Sequence, residues 1–158
     1  MEALLRGAGQ ASPGWIAHGK LDVGRSLAAR RWAAGDTMEL AIPHLRILDY
    51  DGAVAFYVDA LGFEIDFEWR NEPGLPVYMG IRRGTLYAHL SEYEASGPPG
   101  QGRGMVLSVD DAERWYKALK QKGVPIEREI QTQPWGARDF ILRDPFDNTI
   151  VVMSSSSQ

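Results

Sequence analysis

The chain has 158 residues, 44% of them hydrophobic, no cysteine, and a formal net charge of −4. That length supports one domain with its own core but hardly two, and the lack of cysteine removes disulfides, thiolate metal sites and a cysteine nucleophile. Residues 38–158 hold twelve Lys/Arg against eighteen Asp/Glu, a net −6, and an acidic globule repels nucleic acid while drawing in cationic small molecules.

No apolar run approaches the ~20 residues of a membrane helix, and no secretory segment opens the chain, so cytoplasm is the expected compartment. Residues 1–37 are punctuated by Gly7, Gly9, Gly14, Gly19, Gly24 and Gly35, with a helical pattern at Ser26–Ala34 alone. They read as an extension, weakly ordered or helical, and Met38 opens a single compact domain over 38–158. Ala41–Leu48 is predicted as a strand. Asp49 or Asp51 then caps a helix over Gly52–Leu61, with Ala53, Phe56, Tyr57 and Ala60 on one face and Gly62 as its C′ residue. Phe63–Trp69 is the next strand, and after the Asn71–Gly74 turn come Val77–Arg82 and Thr85–Ser91, joined at Arg83-Gly84.

Residues 95–102 are too rich in glycine and proline to form an element, and they separate two modules at about 40–94 and 103–154. The second module repeats the order of the first. Gly104–Val109 is a strand, and Asp110 or Asp111 caps a helix over Ala112–Lys122 with Trp115, Ala118 and Leu119 inward and Gly123 at C′. Strands follow at Ile126–Gln131, Ala137–Leu142 and Thr149–Met153. Asp49 to Gly62 and Asp110 to Gly123 both span thirteen residues, and the same offset of 61 carries Arg82 onto Arg143. The predicted fold class is therefore α+β, two tandem βαβββ modules forming a curled mixed sheet around a cleft.

Ile42-Pro43-His44-Leu45-Arg46, Ala55-Phe56-Tyr57, Leu61-Gly62-Phe63, Val109-Asp110-Asp111 and Asp144-Pro145 with Asn148 give the chain its resemblance. Over about residues 40–153 it resembles the glyoxalase/bleomycin-resistance/extradiol-dioxygenase family, the vicinal oxygen chelate superfamily. Pro134-Trp135-Gly136, Arg138-Asp139-Phe140, Pro76-Val77-Tyr78 and His89–Glu92 make it most similar to the bleomycin-resistance branch. Metal-dependent members carry ligands at positions that correspond here to Ile42, Gly104 and Val151. Three residues without donor side chains leave no shell for a Lewis acid, so neither metal nor cofactor is expected.

His44 and His89 lie on strands that the resemblance pairs, and two imidazoles without a carboxylate make an incomplete metal site. His18 belongs to the extension. No serine lies in a nucleophile elbow, the glycines at 97–104 are not in a strand-to-helix turn, and Asp110/Asp111 read as helix caps. Binding chemistry remains. Ile42, His44, Gly104, Val106, Val151 and Met153 are expected to line a floor, Trp69, Tyr78, Trp135 and Phe140 its walls, and Asp66, Glu68, Glu72 or Asp139 its rim. With Arg138 and His89 these give the candidate ligand contacts. The expected function is metal-independent sequestration of a bleomycin-type glycopeptide or a related aromatic cation. The resemblance further implies a homodimer with both subunits lining each cleft. The alternatives are a metal-dependent lyase, isomerase or dioxygenase of the same superfamily, or a binder of an unrelated metabolite.

Overall fold

The computed structural model describes residues 40–98, 100 and 102–155, so the expected extension lies outside the described residues. In chain order the elements are β1 (His44–Arg46), a helix α1 (Tyr50–Ala53) that widens into a π-helical stretch (Val54–Ala60), β2 (Glu64–Trp69), β3 (Tyr78–Arg83) and β4 (Leu86–Ser91). After a 3-10 turn at Glu94–Ser96 come β5 (Gly104–Ser108), α2 (Ala112–Gln121), β6 (Arg128–Thr132), β7 (Ala137–Arg143) and β8 (Thr149–Ser155). They form two four-stranded mixed sheets, β1-β4-β3-β2 and β5-β8-β7-β6, with the first and last strand of each module parallel. None of the described helices is long and apolar enough to cross a membrane.

Both helices start where an aspartate supplies the missing acceptor. Asp49 Oδ1 accepts from the Gly52 amide at 2.7 Å, and Asp111 Oδ1 from the Arg114 amide at 2.9 Å, which selects one residue from each acidic pair. Because the second cap is Asp111, it lies twelve residues before Gly123, whereas Asp49 lies thirteen before Gly62. The first helix thus holds one residue more. The π turn takes it up, as the Leu61 amide reaches back to the Phe56 carbonyl and the Phe63 amide to the Tyr57 carbonyl. The repeat offset is accordingly not uniform. It is 61 at the C′ glycine but 62 at the caps and at the outer strand pair, where Leu45↔Leu90 corresponds to Leu107↔Val152.

One face of each sheet packs on its helix, and the two modules share one core containing Leu45, Tyr57, Met79, Ile81, Leu90, Leu107, Leu119, Phe140, Leu142 and Val152. On α2 the inward stripe is Ala112, Trp115, Tyr116 and Leu119, the i, i+3, i+4, i+7 positions. The expected Ala118 falls off that stripe and is exposed, and Tyr116 takes its place, with its ring edge-on to Phe140 at 5.5 Å.

The turn between β7 and β8 ties the modules together. Its buried Asp144 carboxylate accepts from the Tyr57 hydroxyl at 2.7 Å, the Phe146 and Asn148 amides at 2.9 and 2.7 Å, and the Asn148 side-chain amide at 2.7 Å. The Asn148 side chain also donates to the Arg46 carbonyl of β1 at 2.8 Å. Burial, and then the facing Asp144, push the Tyr57 hydroxyl pKa well above its ordinary value.

Candidate ligand-binding site

Each sheet leaves its second face open, and the two faces differ in chemistry. Across the first sheet, His44 of β1, His89 of β4 and Gly80 of β3 lie in one row of register partners, and Gly80 is paired to Phe67 of β2. A Cβ on Gly80 would lie 2.3 Å from Phe67 Cε1, so the missing side chain is what lets the Phe67 ring lie over the sheet. The rings then gather. Phe67 meets His89 edge-on at 5.3 Å, Tyr78 lies 5.4 Å from His89 and 5.7 Å from His44, and Trp69 stacks on Tyr93 at 5.9 Å.

Polar contacts fix the imidazoles. His89 Nδ1 shares a hydrogen bond of 2.7 Å with the Tyr78 hydroxyl, and His44 Nε2 lies 3.4 Å from Ser96 Oγ, which itself donates to Ser91 Oγ at 2.8 Å. Burial lowers both histidine pKa values. The Arg103 charge lowers His44 further, and His44 lowers His89 further, against an opposing pull from Asp66. Both rings are thereby biased toward the neutral form.

The corresponding row of the second sheet is Val106, Val151 and Ile141. Val106 is 59% exposed. One module thus presents aromatic rings and imidazoles where its repeat presents aliphatic side chains.

Four of the expected ligand contacts, His44, Trp69, Tyr78 and His89, come together on the first face. Phe67 and Tyr93 join them and were missed, although the spacing of Phe67 to Trp69 puts both on one side of a strand. The other three lie elsewhere. Phe140 is fully buried in the core, because the parity of β7 turns it toward α2 with Leu142. Arg138 shares that parity and pairs with Glu113 of α2 at 2.6 Å. Trp135 is 71% exposed on the turn between β6 and β7.

The expected rim charges are mostly engaged. Asp139 accepts from Arg128 and Gln133 at 2.8 and 2.7 Å, Glu68 accepts from the Tyr50 hydroxyl, and Asp66 lies 3.6 Å from Arg82.

The model of the Glyoxalase/Bleomycin resistance protein/Dioxygenase superfamily matches residues 40–152. The chain belongs to this superfamily. A crystal structure of a superfamily member from Sphaerobacter thermophilus is similar at 25% identity, with a TM-score of 0.60, over 75% of this chain and 100% of the other. The bleomycin-binding protein of Streptomyces verticillus, complexed with copper(II)-bleomycin, is similar at 25% identity and a TM-score of 0.56, over 77% and 98%. A lactoylglutathione lyase from Agrobacterium tumefaciens, at 24% identity and a TM-score of 0.56 over 75% and 94%, shares the fold. No curated protein matches the chain.

The superfamily's metal chemistry needs converging donors, and the residues here do not fit it. Among the described residues no group of three His, Asp or Glu side chains could hold a metal ion. Ile42 and Val151 bring no donor. At Gly104 a ligand side chain has no room, because a Cβ there would lie 2.3 Å from the Thr149 carbonyl oxygen, a backbone atom of the paired strand. The 62-residue correspondence places His89 opposite Val151, so the first module keeps one imidazole at a position where the second has none.

Proposed function

We propose that the protein is a metal-independent binding protein of the bleomycin-resistance type, which captures a flat, cationic aromatic ligand stoichiometrically. The observation that carries this reading is the closed position at Gly104. A backbone carbonyl fills the space that a ligating side chain would need, so the second module cannot contribute there to a metal shell. The aromatic face built from Phe67, Trp69, Tyr78 and Tyr93 supports stacking of a planar group. The likeness to a protein complexed with copper(II)-bleomycin supports the ligand class.

In this reading the protein works as a homodimer. The aromatic face of one protomer meets the aliphatic row of its partner, and Trp135 reaches over the bound molecule from its turn. Enclosing the ligand between two sheets removes far more of its surface from water than one open face would.

Two measurements test the reading. Metal analysis of the purified protein should find no stoichiometric transition metal. Calorimetric titration with bleomycin should give saturable binding, one ligand per site, unchanged by a chelator when metal-free bleomycin is used. Tight stoichiometric protein-bound metal would overturn the metal-independent reading. No heat of binding at high micromolar bleomycin would leave the fold with an unrelated ligand.

A further inference from the structure

Arg103 stands at the edge of the aromatic face without a carboxylate partner among the described residues. Its backbone is fixed by the Arg103 amide donating to the Gly100 carbonyl at 2.8 Å and by the Thr149 amide donating to its own carbonyl at 3.0 Å. Its guanidinium fills the space above Gly97, where a Cβ would lie 2.5 Å from Nη2. Gly97 follows Ser96, whose hydroxyl is 3.4 Å from His44 Nε2. A fork of N–H donors, a hydroxyl and an imidazole therefore share one corner of the ligand face.

Of the charges around this corner, including Glu94 at the start of Ser96's own 3-10 turn, Arg103 is the one that acts on His44. Asp147, beside Gly100, pairs with Arg143 at 2.8 Å, and Glu92 lies 3.5 Å from Arg70 while accepting from the Val77 amide. Asp66, across the sheet beyond His89, faces Arg82.

We propose that Arg103, Ser96 and His44 form a subsite for a small oxyanion, a carboxylate or a phosphate, on the ligand. The inference rests on the aromatic face being the ligand site and adds to it a second anchor, which favours those flat, cationic ligands that also carry an acidic group. Arg103 supplies the paired donors that match two oxygens of such a group, and the Ser96 hydroxyl adds a third by turning from Ser91 Oγ, to which it donates in the free protein. His44 gains a proton more readily once an anion offsets the Arg103 charge, so the oxyanion binds more tightly as pH falls.

The test uses the full chain and two simple probes, inorganic phosphate and acetate, titrated separately while the histidine ring resonances are followed by NMR. The His44 signals should move saturably with at least one probe, and with acetate, whose charge is constant over the range, more strongly at about pH 6 than at about pH 8. Arg103→Gln should weaken that binding by about tenfold or more, Arg103→Lys by less, and Lys120→Gln, on the exposed side of α2, should leave it unchanged. The tighter of the two probes assigns the group as carboxylate or phosphate. Unmoved His44 signals with both probes, or equal affinity in a folded Arg103→Gln protein, would overturn the subsite. Neither probe is aromatic, so failure of bleomycin to bind and failure of the oxyanion to bind are separate results.

Discussion

Asp144 concentrates four hydrogen bonds on one buried carboxylate and joins a helix of the first module to a turn of the second. Removing it strands two backbone amides, a hydroxyl and a side-chain amide away from water. Asp144→Ala should therefore cost about 3–5 kcal/mol of stability, read as a lower urea midpoint. Its partner Tyr57 makes a separate statement about pH. The folded state holds the phenolic proton above its ordinary pKa, so Tyr57 contributes fully below about pH 10 and the contribution is lost as pH rises past it. Stability measured from about pH 9 to 11 should fall, and Tyr57→Phe should flatten that fall while costing about 1 kcal/mol at neutral pH. If Trp135 covers the bound molecule from its turn as proposed, Trp135→Ala should weaken capture of an aromatic ligand by about 1–3 kcal/mol with the melting curve unchanged, since the exposed indole contributes little to the core. The aromatic character of the first face is legible in Trp69, Tyr78, His44 and His89, although β2 shifts register between Ile65 and Phe67. Phe140 and Arg138 were misplaced because an alternating strand has two sides, and composition alone does not say which side meets the helix.

At the scale of elements, the caps, the C′ glycines and the strand order follow from local chemistry and were readable one module at a time. The non-uniform offset was not. Ala53, Phe56, Tyr57 and Ala60 keep the i, i+3, i+4, i+7 spacing of an α-helix, and only the carbonyl reached by each amide tells an α turn from a π turn. The difference has a measurable consequence. Deleting the exposed Ala55 from the π-helical stretch should let it relax to an α-helix of the length that α2 already uses. Deleting the exposed Lys117 from α2 has no spare residue to draw on and must rotate Leu119 away from the core. The first deletion should leave a cooperatively unfolding protein, and the second should lose its cooperative melting transition by calorimetry.

At the scale of the molecule, two sheets of the same topology present different surface chemistry. The superfamily match accounts for the topology, and the register sets His44–His89 of one sheet against Val106–Val151 of the other. If the aliphatic row of one protomer closes the aromatic face of another, Val106→Asp should convert a dimer to a monomer in sedimentation velocity and abolish ligand capture. The isolated fold should survive, because Val106 is exposed within its own chain. That surface was only partly legible in the sequence: valine in a strand reads equally as core or interface until the sheet's covered face is known.

The link between modules also sets an order of events during synthesis. Tyr57 waits for an acceptor 87 residues downstream, and Arg46 for a donor 102 residues downstream. At ribosomal rates of about 5–20 residues per second, Tyr57 is made roughly 4–17 s before Asp144. For that interval the nascent first module leaves exposed the helix and strand surfaces that the second will cover.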